Sequence, residues 1–301
     1  CVQFSNKGRG LYISNCVFDS SIASGKYAIK VGNADVSIVN STINGGIQVA
    51  SGAGAKLDGF VKVSNSTVSQ IPSTRSISMD SGRSIEVSNS VINGLMQLDD
   101  SSLSIVDSVI NMSSSENQFY TTVTPASDVS TINISRTKLD ATNGLGAGRN
   151  FYGGTLRLID SSLSNNSGMP ILLYANDIIF DGVYGEYRML SYSSVDSLAI
   201  INSNIVHDND TVFTTAGMTG RLIIKNNSIV GRSTAHNCLV INSATDLIDL
   251  HLSNNNITGI VYINDSYISN SISVNNIVNA TSATYPTPAA NKIVDNNVLY
   301  V

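Results

Sequence analysis

The stretch Val61, Lys62, Val63, Ser64, Asn65, Ser66, Thr67, Val68 decides the fold. Its first three residues alternate apolar, polar, apolar, as in a short strand with two side chains on one face, and the Asn that follows suits a bend. Eight such residues bury almost nothing by themselves. The same pattern opens again at Leu11, Val36, Ile85, Leu103, Ile132, Leu156, Ile178, Leu198, Leu222, Leu250 and Ile272, with a degenerate copy near Ile293. The openings recur about every 24 residues, which marks a repeat architecture in which each unit is held by stacking on its neighbours.

Composition supports a long thin core with a polar but weakly charged surface. Of 301 residues, 42% are apolar and only 13% charged, so Ser, Asn and Thr supply the polarity. No apolar run is long enough to insert in a membrane, and a net charge of −5 without a basic cluster argues against nucleic acid. No basic segment followed by an apolar one marks a secretion signal, and the chain opens in mid-pattern at Cys1, as a fragment of a longer protein would. Cys1, Cys16 and Cys238 form neither a disulfide framework nor a metal-ligand spacing, and Cys16 reads as a small packed residue. His207, His236 and His251 fall in different copies, so no metal or other cofactor is expected. Residues 1–282 read as one elongated repeat domain. Residues 283–301, with two prolines near their start, read as a capping or linking segment.

A helical reading fails because apolar residues recur at spacing two and Ser, Asn and Gly interrupt every longer stretch. The chain reads as all-β. At the fifth place of most copies stand Asn15, Asn40, Asn65, Asn89, Asn202, Asn226, Asn254 and Asn276, with Asp107 and Asp160 in register. This column resembles the asparagine ladder of the pectin-lyase-like superfamily. The resemblance implies a right-handed single-stranded parallel β-helix of about 12 coils of about 24 residues. Places one, three and eight should then face inward and place two outward, where Lys62 and Glu86 would pair across neighbouring coils. Further on, the outward face becomes apolar, with Ile179, Ala199 and Ile223 at place two and Ile159 and Ile201 at place four. Such a stripe asks for a cover, either a neighbouring subunit of a homotrimer or a loop of the same chain.

The organised chemistry of polygalacturonases, paired Asp with Gly-His-Gly and Arg-X-Lys, is missing. The densest grouping of acids, bases and aromatics surrounds Arg188, Asp208 and Arg232, which lie at one offset in successive copies. Glu186, His207, Asp210 and His236 flank that column, with Tyr184, Tyr187 and Tyr192 nearby. Adjacent coils bring side chains within about 5 Å and alternate coils within about 10 Å, which brackets the carboxylate separations of retaining and inverting glycosidases. Glu186 with Asp208 or Asp210 would then be acid and base. Arg188 and Arg232 would hold an anionic or hydroxyl-rich glycan, with Tyr184, Tyr187 and His207 beside it. The other reading of the same residues is a solvated ladder of ion pairs.

Taken together, these features resemble the trunk of a bacteriophage tailspike or tail fibre. That resemblance implies a homotrimer assembled in the bacterial cytoplasm and carried on the virion tail outside the cell. It would bind a bacterial surface polysaccharide and cleave it by hydrolysis or elimination. The alternative is a non-catalytic adhesin or structural fibre, such as an autotransporter passenger or a tail-fibre shaft. The absence of Trp leaves Tyr and Phe to stack on sugar rings.

Overall fold

Most copies of the repeat form a five-residue strand, a corner, a three-residue strand and, after a further bend, a third strand before the next copy opens. The computed structural model describes residues 2–4, 10–20, 27–32, 35–50, 60–71, 75–79, 84–94, 96–98, 102–111, 119–120, 131–140, 149–151, 154–164, 171–173, 175–192, 195–207, 211–216, 218, 220–242 and 248–301. These residues form a parallel β-helix with coils of about 24 residues. The coil count differs slightly from the dozen expected. Their one helical turn is the 3-10 segment Asp265–Tyr267, and no helix among them is long and apolar enough to cross a membrane.

The chain divides into two units, Cys1–Gly154 and Thr155–Val301. In the first unit the long strands Gly10–Ser14, Asp35–Val39, Phe60–Ser64, Ser84–Ser88, Ser102–Val106 and Thr131–Ser135 stack in parallel, each on the next. Val2–Phe4 adds one antiparallel strand at the Gly10–Ser14 edge. In the second unit the corresponding stack runs Thr155–Ile159, Asp177–Asp181, Ser197–Ile201, Gly220–Lys225, Ile248–Ser253, Ile268–Val274 and Lys292–Asp295. Alternation places the core. Val61 and Val63 are buried and Lys62 is exposed, and Val68 closes the interior from the short strand. Lys62 lies opposite Glu86 and pairs with it at 2.9 Å, as the outward register requires.

The corner needs left-handed backbone at place five. Asn15, Asn40, Asn65, Asn89, Asp107, Asp160, Asn202, Asn226 and Asn254 have φ between 46° and 57°, values that Asn and Asp tolerate best among residues bearing a Cβ. Arg136 takes the same conformation and its guanidinium reaches Asp107 one coil earlier, at 2.7 and 2.9 Å. The place-five asparagines do bond to one another, Asn254 Nδ2 to Asn226 Oδ1 at 3.2 Å and Asn226 Nδ2 to Asn202 Oδ1 at 3.1 Å, but on the surface.

The buried ladder lies one residue further on. Ser41, Ser66, Ser90 and Ser108 turn into the core, where each Oγ accepts from the backbone N–H of the equivalent residue one coil earlier and donates to the carbonyl two residues before it. This satisfies a corner N–H that no strand partner meets. Cys16, packed at the same place, heads the column. In the second unit Ser203 is followed by Asn227, Asn255, Asn276 and Asn297.

Asn276 therefore belongs to the buried ladder and Asn275, with φ 56°, is the corner residue. A bulge beside Ile248 sets this register, so Leu250 pairs with Ser271 and His251 with Ile272. The copy expected to open at Ile272 opens at Ser271, and the last opens at Lys292 rather than Ile293. The apolar Ile272 and Ile293 consequently face outward, 41% and 53% exposed, while Ser271 and Ser273 are buried with Oγ atoms that meet no partner among the described residues. Within 283–301, Ala283–Thr284, Lys292–Asp295 and Val298–Tyr300 each pair with a strand of the preceding coil.

Candidate functional site

Of the residues that the sequence groups around Arg188, the structure keeps some outside and takes others in. Tyr184 and Glu186 lie on the short strand Tyr184–Glu186, paired with Asn204–Val206. Gly185 between them has φ 143°, and a Cβ there would meet Leu163 O at 2.0 Å, so the strand passes its neighbour only because this residue is Gly. Tyr184 is well exposed and Glu186 half-buried. Tyr187 and His207, expected beside a sugar, are instead interior at 0% and 1% exposure. The bonds Tyr187 N to Val206 O and His207 N to Val230 O show why: both residues occupy the first inward row past the short strand. Burial drives the Tyr187 phenol far above its usual range. Arg188 and Arg232 follow in the next row, half-buried and exposed, but two coils apart, or about 10 Å. Asp208 and Asp210 lie outside the described residues. Ile159, Ile179, Ile201 and Ile223 point outward, each half-buried.

The outward face of the second unit's long strands offers a more complete site. Register aligns Ile179, Ala199, Ile223, His251, Ile272 and Ile293 in one row along the stack. Beside it runs a polar row containing Ser197, Arg221, Asp249 and Asn270. Where the rows meet Ala290 and Asn291, a groove of about 420 Å³ opens, floored by Ile223, Ile272 and Ile293.

The polar groups of this groove are held by its own coils. Asp249 Oδ1 accepts from Ser269 Oγ and, at 2.7 Å, from Asn270 Nδ2. Those bonds, with a smaller contribution from the Arg221 charge, hold the carboxyl below the ordinary carboxylate range. His251 places Nε2 3.0 Å from Ser253 Oγ. Partial burial, then the charges of Lys225 and Arg221, lower its pKa from the usual imidazole value. The groove thus presents a carboxylate acceptor, guanidinium and amide donors, an imidazole and an apolar floor. That combination suits a ligand with hydroxyls on its rim and C–H groups on its face.

The sequence reading does not single out Arg221, Asp249 or Asn270, and names His251 only among the scattered histidines. The signal was present in the Asn-Asn pairs at 226–227, 254–255, 275–276 and 296–297, whose second members form the buried ladder. Counting from those pairs fixes the register and brings Arg221, Asp249 and Asn270 into line. Among the described residues, no three His, Cys, Asp or Glu side chains gather as a metal site requires. Comparison with protein-family models, with curated proteins and with solved structures finds no match for this chain.

Proposed function

We propose that this chain is a glycan-binding β-helix of the tailspike kind, which holds a bacterial surface polysaccharide along the outward face of its second unit. The groove over Ile223, Ile272 and Ile293 carries this reading. Its polar rim repeats at the coil spacing of about 4.8 Å, so that a linear polymer lying along the stack meets acceptors and donors in succession. One carboxylate, Asp249, lines the groove. Cleavage by an acid–base pair needs two, so the reading is of binding, and its biological setting is attachment of a virion to its host.

Retention on immobilised capsular and O-antigen polysaccharides tests it, with the length of the glycan followed by gel filtration. The parent chain should be retained by at least one of them without shortening it, and Ile272→Asp or Asn270→Leu should release it. Equal retention of parent and variants, or none at all, would end the proposal.

The apolar row also favours a second reading, because Ile272 and Ile293 are as exposed as residues awaiting a protein neighbour. In that case the row is the contact of a homotrimer. Light scattering should then give the mass of three chains for the parent and of one for Ile223→Asp.

A further inference from the structure

We propose that Arg221, Lys225 and His251 form a binding site for an oxyanion carried on a sugar ring, either a uronate carboxylate or a sulfate or phosphate ester. The inference rests on the glycan-binding reading and narrows its ligand.

Arg221, Ile223 and Lys225 alternate onto the outward face of one strand, which sets the Cα atoms of the two cationic residues about 13 Å apart, each about 7 Å from Ile223, over which their long side chains can both reach. His251 pairs opposite Ile223 on the next strand and so lies between both charges, about 4.8 Å to one side. Neither cationic side chain makes a hydrogen bond or ion pair among the described residues. The nearest acid, Asp249, lies opposite Arg221, but its Oδ1 is already engaged by Ser269 and Asn270. From the strand on the other side of His251, the outward residues Asn270, Ile272 and Val274 add no charge.

Two cations thus flank the imidazole, with Asp249 as the one acid beside Arg221, and their charges add to burial, the larger cause, in lowering the His251 pKa. An oxyanion between them takes the planar fork of Arg221 and the ammonium of Lys225, and it favours the protonated imidazole. The ring that carries it then lies on Ile223 and Ile272, with its hydroxyls toward Asp249 and Asn291. A free anion gains only the first part of this contact.

Nuclear magnetic resonance of the His251 ring, assigned by loss of its signal in His251→Asn, tests the site with glucuronate, glucose 6-phosphate, glucose and acetate. At least one charged sugar should raise the pH midpoint of His251, and which of the two does so separates carboxylate from ester. Glucose should leave the midpoint unmoved, and acetate should act at least tenfold more weakly than the effective sugar. Arg221→Gln should weaken that sugar about tenfold, the loss of one charged hydrogen-bonding group. A midpoint indifferent to both charged sugars at their highest soluble concentration would overturn the proposal, as would acetate acting as strongly as they do. If neutral polysaccharides still retain that protein, the oxyanion site falls and the glycan reading stands. An intact His251 response without retention on any polysaccharide would mean the reverse.

Discussion

Ser66 in the first unit and Asn255 in the second occupy the same place in their coils, both buried, both just past a left-handed asparagine, yet they hold the stack differently. The Ser66 hydroxyl makes two bonds, accepting from Ser41 N at 3.0 Å and donating to Ser64 O at 2.7 Å. The Asn255 carboxamide makes four. Its Oδ1 accepts from Asn227 N and Asn227 Nδ2, both at 3.0 Å, and its Nδ2 donates to Ile224 O and Asn276 Oδ1, both at 2.9 Å. The outward faces differ as well. Place two holds Tyr12, Ser37, Lys62, Glu86, Ser104 and Asn133 in the first unit, but Arg157, Ile179, Ala199, Ile223, His251, Ile272 and Ile293 in the second. The hydroxyl clamp runs on through Ser161 and Ser203 and gives way to amides from Asn227, while the outward row turns apolar from Ile179. From Asn227 on, the longer carboxamide ties each coil to its neighbour at two points.

The comparison breaks first at the ladders. Asn255→Ala should cost about 3 kcal/mol, because it strands a buried N–H, a buried carbonyl and two carboxamides. Ser66→Ala strands one N–H and should cost about 1 kcal/mol. Urea unfolding, with hydrogen exchange read coil by coil, checks the ratio, since a repeat stack passes such damage chiefly to its nearest neighbours. Equal costs would mean that the extra amide bonds contribute nothing.

The interiors supply the next test, with the opposite sign. Places one and three are apolar throughout the described first unit, whereas Ser271 and Ser273 occupy them in the second. Ser273 stacks between Leu252 and Val294 with its hydroxyl unpartnered among the described residues. Ser273→Val should therefore stabilise the second unit by about 1 kcal/mol, visible as a higher urea midpoint at unchanged slope. A loss of stability would show that the interior there has no room for the added methyls.

Acid should separate the units more gently. The His251 pKa lies below its unfolded value of 6.5, so the folded chain binds fewer protons than the unfolded one just beneath that pH. Its contribution is complete above 6.5 and lost as pH falls through the folded value. The effect is less than about 1 kcal/mol once solvent screening is allowed for. No histidine stands at the described outward places of the first unit, and His251→Asn should flatten this part of the second unit's pH profile. An unchanged profile would remove His251 as its source.

What the sequence could reveal followed from how strictly each feature is tied to the repeat. Period two within a strand and about two dozen between strands are enforced by burial, so Val61, Val63 and Val68 were readable as core and Lys62 as the partner of Glu86. The asparagine column at the corner was legible, but the buried ladder one residue further on was not, because the Ser after the Asn looks like any loop polar residue until its Oγ is seen to meet a backbone N–H. Ile272 misled for a related reason: an apolar residue between two serines reads as inward, and only the bulge beside Ile248 turns it out. Tyr187 and His207 escaped because the chain's facing after the short strand depends on where the third strand begins, which loop length alters from coil to coil. The groove inherits the register of Ile272, so it was illegible for as long as that register was wrong.

The smallest test concerns the first unit's own outward contact. Lys62 and Glu86 lie 2.9 Å apart with side chains 48% and 51% exposed, and the Lys62 ammonium also sits 5.1 Å from the Phe60 ring centroid. Two flexible chains in water recover little from such a pair, so Glu86→Gln should cost less than about 0.5 kcal/mol, and added salt should erase the difference between parent and variant. The Lys62→Met variant should cost no more, because an unbranched stem still lies on the outward face beside the Phe60 ring. If either loss instead approached that of Ser66→Ala and persisted in salt, the polar face would be contributing to cohesion as the buried ladder does, and the contrast between a polar outward row in the first unit and an apolar one in the second would have to be drawn inside the core alone.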